Sequence, residues 1–177
     1  GLSEVARIRA AMERLKTQVG HTGDLRSLFE KLRGDPRFVA SDAEALLGGY
    51  RDLRSRVASA MPRQFAIAPK ADFEIRPVEA FREQSAASAS YRPGSPDGKR
   101  PGVFYVNTWD LPSRPTYLMQ AIYLHEAVPG HHFQVSLAQE MDELPRFRRH
   151  AEFTAYAEGW GLYAESLGRE LGLYDDP

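Results

Sequence analysis

The stretch that most limits what this chain can become is His125-Glu126-Ala127-Val128-Pro129-Gly130-His131-His132. Three imidazoles and a carboxylate packed so closely are hard to explain by packing alone. Imidazole nitrogen is the commonest metal ligand in proteins. A Glu beside a ligating His is the layout of H-E-x-x-H, in which two histidines four apart share a helix face and hold zinc. Here the fourth position is Pro129. On an ideal helix His131 would lie about 120° round from His125 and about 9 Å along it; His132 would lie on the same side about 10.5 Å away. Two nitrogens on one zinc ion sit about 3.5 Å apart, so a straight helix serves neither pair. Pro129 lacks the N–H owed to the carbonyl of His125, and its ring clashes with that carbonyl. Gly130 can take backbone angles closed to other residues. The helix is therefore expected to break just after Glu126, letting His131 or His132 swing back beside His125.

The rest of the chain bounds the chemistry. At 177 residues it is long enough for one domain with its own core. A net charge of −1 gives no electrostatic case for nucleic acid or an anionic membrane. No apolar run approaches the roughly 18–20 residues of a membrane helix. With no cysteine, any metal must be held by histidine and carboxylate. The chain opens on Gly1 within a helical pattern, which reads as a piece of a larger protein.

Periodicity divides the chain into three parts. Residues 1–65 read as helices. Val5, Ile8, Met12, Leu15 and Val19 recur at helical spacing after Ser3. Asp24 caps a short helix carrying Leu25, Leu28, Phe29 and Leu32, and a Ser41/Glu44 capping box opens a third with Leu46, Leu47, Tyr50, Leu53 and Val57. Residues 71–108 read as a small antiparallel sheet with loops: 72–78 alternates between prolines, 86–91 is a weaker strand, and 102–107 is the strongest. Residues 112–171 read as helices again. Tyr117, Leu118, Ala121, Ile122, His125 and Val128 fall on one stripe, so His125 is expected to face inward. The helix resumes through Phe133, Val135, Leu137 and Ala138 to about Leu144. A last helix over about 147–171 has an apolar stripe of Phe153, Tyr156, Ala157, Trp160, Ala164, Leu167 and Leu171. Beside it run Glu158, Leu162, Glu165 and Arg169. Gly159 and Gly161 flank Glu158 although glycine costs a helix about 0.8–1.0 kcal/mol relative to alanine, which suggests that something approaches the backbone closely there. His21 reads as plain surface, while His150 and the Arg146, Arg148, Arg149 cluster could bind a substrate carboxylate but more often such residues form a solvated surface.

H-E-A-V-P-G-H-H followed by E-G-W-G-L-Y-A-E, with the V-F-Y-V-N-T strand and the S-R-P helix start ahead of them, resembles the bacterial family known as domain of unknown function 885. That family is grouped with the zinc peptidases of the zincin type and has much longer members. The resemblance implies a mainly helical α+β zincin-like metallopeptidase fragment. In it His125, His131 and Glu158 would hold Zn²⁺, and Glu126 would be the general base that hydrolyses a peptide or amide bond with zinc-bound water. Matching Gly-His to H-E-x-G-H favours His131 over His132. Glu165 would orient a ligand histidine, and Tyr105, His132, Tyr156 or Tyr163 would supply the oxyanion donor. By analogy with zincins, Val103–Asn107 would be an edge strand pairing with extended substrate, or else only a cover for the helices. Many relatives carry export signals, which implies an exported or periplasmic protein. The alternative is a helical scaffold or binding domain whose metal site is degenerate or empty. Because part of the substrate cleft would be missing, the 177-residue chain alone is expected to turn over weakly or not at all.

Overall fold

The computed structural model describes residues 1–151 and 153–174. Three helices lead: α1 (Leu2–Gln18), α2 (Leu25–Gly34) and α3 (Ala43–Ala60). Strands β1 (Phe73–Pro77), β2 (Ala89–Arg92) and β3 (Gly102–Val106) follow, then α4 (Met119–Glu126), α5 (His131–Glu140), α6 (Arg146–His150) and α7 (Thr154–Ser166). The architecture is mainly helical with one small sheet.

Asp24 caps α2 by accepting a bond from the Ser27 N–H at 2.8 Å. The start of α3 is one residue later than expected. Asp42, not Ser41, accepts from the Ala45 N–H at 2.8 Å, and the Ser41 hydroxyl supports it from 3.2 Å. A carboxylate in the cap position satisfies the orphan N–H and suits the positive end of the helix dipole.

The sheet is mixed, not antiparallel. Its order is β1-β3-β2, with β1 parallel and β2 antiparallel to β3. The cause is the segment 78–88, too long for a tight hairpin, which carries the chain across the end of β3 to its far edge. Buried Asn107 fixes that crossing: its Nδ2 donates to the carbonyls of Glu83 (2.7 Å) and Ala86 (3.1 Å). Its Oδ1 accepts from the Trp109 N–H at 3.0 Å. Strand β3 is thus paired on both sides and offers no free edge, so Val103–Asn107 cannot take the substrate-pairing role expected of it. The edge beside α4 belongs to β2.

The core lies where α3 and α4 cover the sheet. Tyr50, Leu53 and Val57 of α3 pack with Phe104 and Val106 of β3 and with Tyr123 and Leu124 of α4. Phe104, fully buried, meets Tyr50 and Tyr123 edge-on at centroid separations of 5.1 and 6.0 Å. Burying such a side chain is worth roughly 2–3 kcal/mol.

Three expected helices differ from their sequence patterns. Tyr117 and Leu118 are exposed, and the inward face of α4 is instead Met119, Tyr123 and Leu124. This segment opens with a 3₁₀ turn over Thr116–Leu118, whose three residues per turn put the stripe out of step with α geometry. Helix α5 stops at Glu140 rather than near Leu144, and its buried side chains include His132, Phe133 and Ser136. The expected helix over 147–171 is two: Ala151 and Phe153 are extended. The arginine-rich α6 has a single apolar residue, Phe147, and so no stripe to continue into α7. The part of that expectation on residue 152 lies outside the described residues, as do residues 175–177.

Candidate metal centre

The helix breaks where Pro129 and Gly130 require it. Helix α4 ends at Glu126, α5 starts at His131, and the Val128–Pro129 peptide between them is cis. A side chain on Gly130 would stand 1.8 Å from the carbonyl oxygen of His125 and 2.3 Å from that of Leu124. Only glycine lets the chain fold back this tightly against the last turn of α4. From α7, the Trp160 indole N–H donates to the Pro129 carbonyl at 2.7 Å and pins the break to the next helix.

The fold-back sets His125 and His131 side by side, their rings perpendicular with centroids 4.7 Å apart. Glu158 of α7 completes the group. Its Oε2 is 3.2 Å from His125 Nε2 and 3.8 Å from His131 Nε2. One donor atom from each of the three lies within 4.8 Å of the others. Donors around a tetrahedral zinc ion stand about 3.4 Å apart, so the set is slightly more open than a closed ligand shell.

Glu165, two turns beyond Glu158, takes His125 Nδ1 at 2.8 Å. A carboxylate on the far nitrogen fixes the tautomer and turns Nε2 toward Glu158 and His131. The ring of His125 lies against Gly161, where a β-carbon would come within 2.6–2.9 Å of it. That explains one of the two glycines beside Glu158. Around Gly159 there is open space.

Glu126 is largely buried next to this group. Its Oε2 accepts from the Tyr91 backbone N–H at 2.9 Å. Burial pushes its carboxyl above the usual carboxylate range; His131, the Tyr91 amide and His125 pull it back, and Glu158 adds to the rise. In the β2–β3 ladder Asn107 N–H bonds the Ser88 carbonyl. Alternation then turns the backbone groups of residues 89 and 91 outward, toward Glu126.

His132 takes the opposite direction from His131. It is buried, stacks on Phe73 at 4.5 Å, and receives the Tyr91 hydroxyl at Nδ1 (2.9 Å), with the Ser136 hydroxyl 3.3 Å from the same nitrogen. Burial lowers its pKa to about 4, so the ring is neutral. Tyr105 lies under the Arg82 guanidinium, Tyr163 stacks on Trp160, and Tyr156 lines a groove of about 810 Å³ between α5, α6 and α7. None of these tyrosines joins the histidine cluster. Arg149 of the basic cluster pairs with Asp142 at 2.7 Å. Tyr91, with a bond to Glu126 from its backbone and one to His132 from its side chain, was invisible as a site residue. Its strand could be read from alternation, but no local pattern says which helix meets that strand's free edge.

The family described as bacterial protein of unknown function (DUF885) matches residues 1–177. No curated protein matches the chain. A solved structure described as a "putative lipoprotein" from Colwellia psychrerythraea superposes with a TM-score of 0.94 at 33% sequence identity, covering 99% of this chain. The chain spans 31% of that protein's length.

Proposed function

The chain belongs to the DUF885 family of bacterial proteins, and from that premise we propose that it carries the hydrolytic site of a zinc-dependent peptidase of the zincin type. The convergence of His125, His131 and Glu158 beside Glu126 carries this reading. The donor set fits zinc: two imidazoles and one carboxylate, a ligand histidine braced by Glu165, and a glycine cradle at Gly161 that a side chain would fill.

A zinc ion held there supplies a Lewis acid that polarises the scissile carbonyl and acidifies water. Glu126 supplies the proton transfer. Raised by burial yet anchored by the Tyr91 amide, it takes a proton from the attacking water and hands it to the leaving amine as the C–N bond breaks. One peptide bond and one water become a carboxylic acid and an amine. The outward N–H and C=O of residue 89 and the C=O of residue 91, whose N–H is taken by Glu126, offer an extended substrate a strand edge to pair with, which moves that role from β3 to β2. Export is supported by the description of the Colwellia protein as a lipoprotein.

Metal analysis of the natural full-length protein tests the reading. About one Zn²⁺ per chain is expected, lost in Glu158→Gln and in His131→Ala. His132→Ala should keep it. Glu126→Gln should retain zinc and lower kcat about a thousandfold. Zinc lost from His132→Ala but kept in His131→Ala would move the ligand. A parent that takes up no zinc would favour a scaffold over an enzyme.

A further inference from the structure

The free edge of β2 is short, and one of its positions is already filled. The ladder to β3 leaves the N–H and carbonyl of Ala89 and of Tyr91 on that edge. Beyond Arg92 pairing cannot continue. The next position in step, Pro93, has no N–H, and its carbonyl accepts from Arg100 Nη1 at 3.1 Å. Of the four edge groups, only the Tyr91 N–H has a partner among the described residues, Glu126 Oε2 at 2.9 Å. The carboxylate therefore stands where an added strand would put a carbonyl oxygen.

That occupancy sets the register of an extended substrate. One substrate residue carries the carbonyl that would have met the Tyr91 N–H. Glu126 keeps that carbonyl off the strand and beside its own carboxylate, which follows His125 directly and feels the charges of His131 and Glu158. It is the carbonyl set for attack. In an antiparallel pairing the N–H of the same residue reaches the Tyr91 carbonyl, and the N–H of the second residue after it reaches the Ala89 carbonyl. In a parallel pairing the bonds slant along the strand and the two N–H groups exchange carbonyls. Either direction demands the same two substrate N–H groups. The upstream neighbour of the attacked residue turns its N–H away from the edge in both.

We propose that the β2 edge, capped by Glu126 at the Tyr91 N–H, fixes the place of the cut: Ala89 and Tyr91 hold the N–H of the residue before the scissile bond and that of the second residue after it. This rests on the peptidase reading above. A peptide with only one residue after the cut has no second N–H to give, so the site cuts within chains or releases two residues or more, and does not trim single amino acids from C-termini. Water adds its oxygen to the scissile carbonyl carbon, the C–N bond breaks, and the proton carried by Glu126 goes to the departing nitrogen.

The natural full-length protein, loaded with zinc, is assayed on N-acetylated dipeptides of mixed sequence that end in a methylamide, a dimethylamide or a free acid. The methylamide supplies the second N–H. The dimethylamide removes it alone and still favours an extended residue ahead of it, as proline does. Methylamides should be cut between their two residues, with kcat/KM at least about tenfold above the dimethylamides and the free acids. In longer peptides, N-methylation of the residue before the cut should cost a similar factor, and N-methylation of its upstream neighbour far less. Calorimetry on the same protein stripped of zinc reads the pairing without turnover: methylamides should bind about tenfold tighter than dimethylamides. Equal rates on methylamides and dimethylamides, or release of single amino acids from the free acids at a matching rate, would overturn the register and leave the peptidase standing. A methylamide preference in calorimetry with no peptide cut would keep the pairing and overturn the peptidase, and the cleavage mode with it. No cleavage and no preference would overturn both.

Discussion

Helix α1 and the α4–α5 pair both set apolar residues three and four apart, yet α1 buries none of them while α4 buries Met119, Tyr123 and Leu124. Val5, Ile8, Met12, Leu15 and Val19 form their stripe in full view of solvent. Helix α4 is shorter, starts from a 3₁₀ turn and is followed by a cis proline, but it is pinned at every step by the sheet, α3 and the Trp160 bond. Periodicity reports that a helix forms and which side is apolar. Whether that side is covered depends on what the rest of the chain brings to it.

The largest effect should come from the tight fold-back. Gly130→Ala would drive a β-carbon into backbone oxygens of His125 and Leu124, atoms that cannot swing aside as a side chain could. Denaturant unfolding should show a loss of about 4 kcal/mol, in the range reserved for backbone and core disruption. A loss below about 1 kcal/mol would mean that the break is loosely held and no different in kind from α1.

His132 gives the next. Its pKa falls from 6.5 to about 4 in the fold, so the neutral ring is the one the native state favours. The linked stability is complete above pH 6.5 and is lost as pH drops toward 4, about 3 kcal/mol in all. Unfolding curves of the parent less those of His132→Asn should show this slope between those limits. Parallel curves would mean that the ring is open to water.

Tyr91→Phe removes only the hydroxyl that reaches His132 and leaves the backbone N–H on Glu126. It should cost about 1 kcal/mol, read from the same unfolding curves. A gain in stability instead would show that the phenol is held there against its preference.

Much of the candidate site was legible because its signals are local. Pro129-Gly130 marked the position of the break by backbone chemistry alone, whereas backbone chemistry left His131 and His132 open and only the resemblance favoured His131, whose ring stands beside His125. The spacing of Glu158 and Glu165 placed both on one side of α7, where each now meets His125. What escaped were facts of tertiary pairing. The crossing that makes β1 parallel to β3 depends on Asn107 holding the carbonyls of Glu83 and Ala86 some twenty residues away. Likewise, an antiparallel and a mixed sheet share one alternation pattern. Arg114 stood in a noted motif, but that its Nε is buried without an acceptor can be recognised only once its surroundings are known.

The smallest effect tests the other side of the comparison. If the α1 stripe is as open as it stands, Ile8→Ser and Val5→Ser remove little buried surface, and serine's lower helix propensity is partly matched by that of the β-branched residues it replaces. Each change should stay within about 0.5 kcal/mol when the 177-residue chain is unfolded by denaturant. Made in the natural full-length protein, the same pair provides a direct contrast. A loss there of about 1–3 kcal/mol, the value of burying such side chains, would show that further polypeptide covers the stripe and that α1 differs from α4 only in how much of its partner is present. Equal, small effects in both would leave α1 a solvent-facing helix, stabilised by local bonds such as the Arg7–Glu4 pair.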